Sequence, residues 1–197
     1  MRKGSSAIAI VAGLAIAAGL ASAPVLHAAE AAKSSKTLKI EAKRAEIDEA
    51  AEEALNALFE KKPEAKELFD KAYGWAVFTN VKIALGFSGG GGRGVAVEKA
   101  TGKRTYMKMG TAGVGFGLGG QKYQVIFFFQ TKEVFDRFVE KGWQADASAK
   151  AAAGTHGANA KTAFTNGIAI YQLTKKGLMA NADIAGTKYW KDDKLND

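Results

Sequence analysis

Between Gly110 and Gln121 the chain reads GTAGVGFGLGGQ, with glycine at 113, 115, 117 and 119 and Val114, Phe116 and Leu118 between them. Two readings compete. A glycine-rich loop can cradle a phosphate, but the dinucleotide fingerprint needs a strand before it and a helix after it, because the helix N-terminus supplies the amides that hold pyrophosphate. Gly115-x-Gly117-x-x-Gly120 runs into KYQVIFFF, and the second formal match, Gly89-x-Gly91-x-x-Gly94, runs into GVAVEK; both continuations are strand-like. Gly102-Lys103 is followed by Arg104, not Ser or Thr, so there is no P-loop there either. Period two is the better account. It places Gly113, Gly115, Gly117 and Gly119 on one bare strand face, which implies close approach by something: tight packing in a curled sheet, or a lipid chain.

The flanking sequence carries the same period. Trp75, Val77 and Thr79 alternate with Ala76 and Phe78, Ile83 to Phe87 continue the pattern, and Val95 and Val97 resume it. Ser88 to Gly94 (SGGGGRG) is expected to be a mobile hairpin turn with Arg93 at its edge. Ala100-Thr101-Gly102 reads as a tight turn with left-handed glycine, leading into a strand with Arg104, Tyr106 and Lys108 on one face. KYQVIFFFQ is apolar on both faces, as a strand covered on both sides should be. Asn166-Gly167 signals a turn before Ile168 to Leu173, and short strands are expected around Leu178 to Ile184 and Thr187 to Trp190. Ala145 to Ala160 is too low in information to assign.

Helical spacing appears elsewhere. Ile40, Ile47, Ala51, Ala54, Leu55, Leu58 and Phe59 recur at three, four and seven residues, predicting a helix from Leu38 to near Lys62, with Pro63 opening a second one. Lys132 to Lys141 reads as a short helix stopped by Gly142. The fold class is therefore α+β: N-terminal helices packed on a curled antiparallel, partly barrel-like sheet.

At the N-terminus, Arg2 and Lys3 precede an uncharged run rich in Ala and Gly, followed by small residues to Ala29, the order of an export signal. Residues 1–28 are read as a cleaved signal peptide, with cutting after Ala23 or an uncleaved N-terminal anchor as the other options, 29–37 as a linker and 38–197 as the domain. The expected location is the periplasm, peripheral to one of the two membranes. There is no cysteine, so disulfides, thiol catalysis and thiolate metal sites are excluded. The net charge of +8 keeps its sign without Arg2 and Lys3. A basic exported chain meets anionic lipid or acidic polymer sooner than nucleic acid, and no nucleic-acid partner is expected.

The chemistry for catalysis is thin. His156 is the one imidazole left after the leader, and Asp192-Asp193 reads as a solvated charge pair in the tail. No catalytic residue, metal or cofactor is assigned. The basic residues say more: Arg93, Lys103, Arg104, Lys108 and Lys122, with Tyr106 among them, are expected to gather on the hairpin, and Lys188 to flank an interfacial Trp190. Each cation near an anionic surface contributes about 1 kcal/mol, so apolar insertion by the first helix or by exposed aromatics must supplement them.

In sequence order, the blocks KAYGWAVFTNV, GFSGGGGRGVAVEK, GTAGVGFGLGGQKYQVIFFFQT and IYQLTKKGLMANADIAG, spanning roughly Ala65 to Tyr189, resemble the SYLF lipid-binding domain family. That resemblance implies binding of acidic phospholipid through basic residues and an N-terminal amphipathic helix. Eukaryotic relatives also bind actin, a partner not expected for an exported chain. The alternative, from a different class, is a structural protein that self-associates as a homo-oligomer or recruits envelope partners.

Overall fold

The computed structural model describes residues 23–144, 164–174, 177–178 and 186–197. Helix α1 (Ala23–Lys61) is followed by α2 (Ala65–Lys71), the long strands β1 (Gly74–Glu98) and β2 (Arg104–Phe129), helix α3 (Lys132–Lys141), and short strands β3 (Trp143–Gln144), β4 (Ile168–Thr174), β5 (Gly177–Leu178) and β6 (Thr187–Lys191); a last turn of helix, α4, covers Asp193–Asn196. Pro63 offers no N–H to extend α1, and α2 begins two residues later. At its end, the Lys99 ammonium donates to the carbonyls of Phe69 (2.6 Å) and Asp70 (3.0 Å), supplying charge and donors where helix carbonyls lack partners. α1 begins well before Leu38, so Glu30 to Lys36, read as linker, are helical.

β1 and β2 form one hairpin of unusual length, paired from Gly74↔Phe129 to Val97↔Arg104 with a register shift between Leu85 and Phe87. Its turn is closed by Gly102 at φ 70°, with the Glu98 N–H donating to the Lys103 carbonyl at 3.0 Å and the Gly102 N–H to the Glu98 carbonyl at 2.8 Å. Around β2, all pairings are antiparallel: β4 against Tyr123–Phe129 and β6 against Met107–Thr111, with β3 beyond β6 and β5 beyond β4. Ser88 to Gly94 is not a turn. It lies inside β1 and pairs with β2 from Ser88↔Gly113 to Gly94↔Met107.

The reason is visible at the even-numbered glycines. A Cβ on Gly90 would lie 2.7 Å from the Val81 carbonyl oxygen, and those on Gly92 and Gly94 would collide with the carbonyls of Thr79 and Val77. The second half of β1 thus lies against its own first half, and the sheet curls so tightly that only glycine fits there. Close packing carried by glycine was the expectation for Gly113, Gly115, Gly117 and Gly119; their backbone is extended within β2, and what surrounds them lies outside the described residues.

Curling divides the core in two. On one face, Ala76, Phe78, Met107, Val125, Phe127 and Phe129 pack with Phe135 and Phe138 of α3 and with Tyr189. On the other, Trp75, Val77, Val95, Val97, Ile126 and Phe128 are covered by Ile47, Ala51, Leu55 and Leu58 of α1 and Leu68 of α2. β2 is therefore buried on both sides along VIFFF, as its unbroken apolar run requires. Asn166 (φ 51°) and Gly167 (φ 78°) form the tight turn into β4. Residues 145–160, with His156, and most of the strand expected at 178–184 lie outside the described residues.

Candidate functional site

Where α1 crosses the sheet, the apolar contact is incomplete. Ile47, Ala50 and Ala51 of α1 and Val77, Thr79, Val81 and Gly91–Arg93 of β1 enclose a groove of about 580 Å³, which Met109 and Lys122 of β2 and Trp190 of β6 complete. Its floor is apolar: Ile47, Ala51 and Val77 are buried on the α1 side of the sheet. Its rim is basic, with Lys43, Arg93, Lys108 and Lys122 against a single acid, Glu46. Lys43 donates to Glu46 at 2.7 Å, and that hydrogen bond, then the Lys43 charge, holds the Glu46 carboxyl below its ordinary range, with weaker help from Arg93 and Lys122.

Beside the groove, Asp192 is almost wholly buried and takes Lys108 Nζ at 2.8 Å and Arg93 Nε at 3.3 Å. Burial is the largest influence on this carboxyl and acts to raise its pKa; the hydrogen bonds and charges of Lys108 and Arg93 outweigh it, and the net direction is downward. Asp192 is thus no solvated tail residue. The segment that carries it is fastened down by the Asn196 amide, which accepts from Tyr106 N (2.9 Å) and donates to Tyr106 O (2.7 Å), and by Arg44, which donates to the Leu195 carbonyl at 2.8 Å.

The expected basic face is therefore only partly a face. Arg104, Tyr106 and Lys108 do share one side of β2, but that side turns toward α1. Tyr106 is buried in the α1-side core, its hydroxyl donating to Asp48 Oδ2 at 2.9 Å, with Arg44 5.5 Å above its ring; a phenol so placed cannot meet a membrane. Arg104 sits 3.4 Å from the same Asp48 oxygen. Lys103 lies in the exposed hairpin turn beside a second cleft, whose charges are mixed: Glu98, Asp136 and Glu140 against Lys103, Arg104, Lys132 and Lys191. Lys122 and Lys188 are exposed, and Trp190 is 44% exposed at the groove edge. Gly110 makes room for that indole, since a Cβ there would come within 3.1 Å of it.

The exposed apolar surface also lies elsewhere than expected. The stripe of α1 from Ile47 to Leu58 is consumed in the core. In its place Val81 (50% exposed) and Ile83 (54%) continue the Trp75–Val77 row of β1 beyond the cover of the helix. Sequence reasoning missed these two, together with Lys43, Asp48 and Asp192. An apolar row longer than the helix available to cover it was the one signal for Val81 and Ile83.

No helix among the described residues is long and apolar enough to cross a membrane, a statement that does not bear on crossing by strands. Among the same residues, no group of three or more His, Asp or Glu side chains is arranged to hold a metal.

The described residues thus form a curled α+β domain with an apolar-floored, cation-rimmed groove. The chain matches, over residues 110–197, the family model for Ysc84, described as a Las17-binding protein actin regulator, a SYLF-type family. It is also similar to "Beta cell expansion factor A" of Aeromonas veronii, at 46% identity over 154 residues, which cover 78% of this chain. The match spans 59% of the length of that relative. At the level of the family, a lipid-binding or envelope-associated role is supported, and the family is one of lipid-binding domains rather than of known enzymes.

Proposed function

We propose that this domain is a non-enzymatic, peripheral membrane protein of the bacterial envelope that adsorbs to anionic phospholipid. The observation that carries the reading is the juxtaposition of exposed Val81, Ile83 and Trp190 with Lys122, Arg93 and Lys188. Apolar side chains that enter the acyl boundary, flanked by cations that meet head groups, are what interfacial binding requires. The leader-like residues 1–28 support an exported, periplasmic setting, and the family supports lipid as the partner.

Adsorption has two physical parts, and charge reversal separates them. Lys122 and Lys188 are exposed side chains, so Lys122→Glu with Lys188→Glu should leave the fold intact. Two reversals at about 1 kcal/mol per charge gained or lost are expected to weaken co-sedimentation with phosphatidylglycerol vesicles by well over tenfold at low salt. Undiminished binding by a folded double variant would refute the electrostatic part.

A further inference from the structure

The groove described above is more than a patch for a flat bilayer to rest on. It is concave, its floor is apolar, and its wall contains a glycine that packing does not demand. Gly90, Gly92 and Gly94 are forced by backbone contact, but a Cβ on Gly91 would meet only the Met109 carbonyl oxygen, at 3.8 Å. Gly91 lines the groove, so its missing side chain keeps space open there without serving the curl.

Volume sets the scale of the occupant. At roughly 30 Å³ for each water-sized group in a liquid, 580 Å³ holds about twenty methylene-sized groups. That is the scale of one alkyl chain with its polar end. Charge sets the other half of the ligand. Asp192 occupies Arg93 and Lys108 from one side and Glu46 occupies Lys43, yet the balance over these groups and Lys122 remains positive. A neutral amphiphile would leave that surplus unanswered.

We propose that the groove between α1 and β1 is a binding site for a single-chain amphiphilic anion, its tail on Ile47, Val77 and Val81 and its phosphate or carboxylate at Lys122 and Arg93. This deepens the lipid-binding reading and rests on it for the class of partner. The phosphate form corresponds to a lysophospholipid and the carboxylate form to a fatty acid.

The test is titration calorimetry of the full chain with C14 lysophosphatidylglycerol and with myristate, both below their micelle concentrations, alongside neutral C14 lysophosphatidylcholine and inorganic phosphate. Expected is one-to-one binding of at least one of the anionic amphiphiles, tenfold or more weaker binding of the neutral one, and none of phosphate alone. Which anion binds tells lysophospholipid from fatty acid. Gly91→Phe, which fills the groove from the sheet side, and Ala50→Leu, which fills it from the helix side, are each expected to weaken binding at least tenfold while leaving the circular dichroism spectrum and the melting temperature close to those of the wild type. The second variant guards against a folding defect in the first. Absence of binding by either anionic amphiphile, or unchanged affinity in both folded variants, would overturn the groove site. Loss of vesicle binding by the wild-type chain would instead overturn the proposed function, and the two failures are read in separate experiments.

Discussion

Arg93 stands directly opposite Lys108 in the β1–β2 register, and both cations are held by one carboxylate, that of Asp192. Like charges at directly paired positions destabilise a sheet, so the C-terminal segment neutralises a conflict that the hairpin creates. Asp192→Asn removes the negative charge and leaves both cations in place. Because Arg93 and Lys108 keep partial access to water, the expected loss is about 1–2 kcal/mol, below the range for a fully buried pair. The sign with pH follows from the lowered Asp192 pKa. Its contribution is fully present above the ordinary value of 3.8 and is lost as the pH falls through the still lower folded-state value. Urea denaturation of the wild type and Asp192→Asn across the acid range is expected to show curves that converge as the pH falls below that value. The same variant, with two cations released, is expected to adsorb more strongly to anionic vesicles.

The glycines of β1 are not equivalent. Alanine at Gly92 or Gly94 places a methyl group against a backbone carbonyl that cannot move away, and a cost of about 3 kcal/mol or more is expected, at or beyond the usual range for overpacking. Alanine at Gly91 meets nothing closer than 3.8 Å and should be neutral or stabilising by up to about 1 kcal/mol, through the lost freedom of the unfolded chain. Thermal melts of the three single variants check the contrast.

Tyrosine ionisation reports on the two cores. Burial, then the Asp48 hydrogen bond, pushes Tyr106 up to about 12; burial, then the charge of Glu64, does the same for Tyr171; and burial raises Tyr189 well above 10.0. These groups stabilise the fold fully below the unfolded value near 10, and the contribution falls as the pH rises from there toward 12. A spectrophotometric titration is expected to show tyrosinate appearing late and together with loss of the near-ultraviolet circular dichroism signal. Early, non-cooperative ionisation of all five tyrosines would contradict the packing described.

Val81 and Ile83 contribute little to the core, each being half exposed or more. Val81→Ser with Ile83→Ser should therefore change stability only slightly. If these side chains enter lipid, the loss of about 1–2 kcal/mol of insertion energy corresponds to roughly tenfold weaker vesicle partitioning. Equal partitioning of the folded variant would remove them from the membrane contact.

The alternation of Trp75 to Thr79, the VIFFF strand, the Gly102 and Asn166-Gly167 turns and the amphipathic α3 were all legible in the sequence, because each rests on local spacing or on one left-handed residue. SGGGGRG was misread for a physical reason. Four consecutive glycines favour a loop by propensity, and only their pairing with Met109 to Ala112 of β2, with the carbonyls of Thr79 and Val81 closing on Gly92 and Gly90, makes them strand residues. The candidate site suffered the same limit. Alternation placed Arg104, Tyr106 and Lys108 on one face, but whether that face meets water or α1 depends on Asp48 and Arg44, more than fifty residues away. Asp192 looked like a tail charge for want of any local sign that Lys108 and Arg93 would reach it.

Adsorption to anionic lipid is decided by the partition of the wild-type domain, without its first 28 residues, onto vesicles of increasing phosphatidylglycerol content at low and high salt. Binding that rises steeply with the anionic fraction and weakens, without vanishing, at high salt is the outcome the account requires. Binding indifferent to the anionic fraction, or none at all, would contradict it.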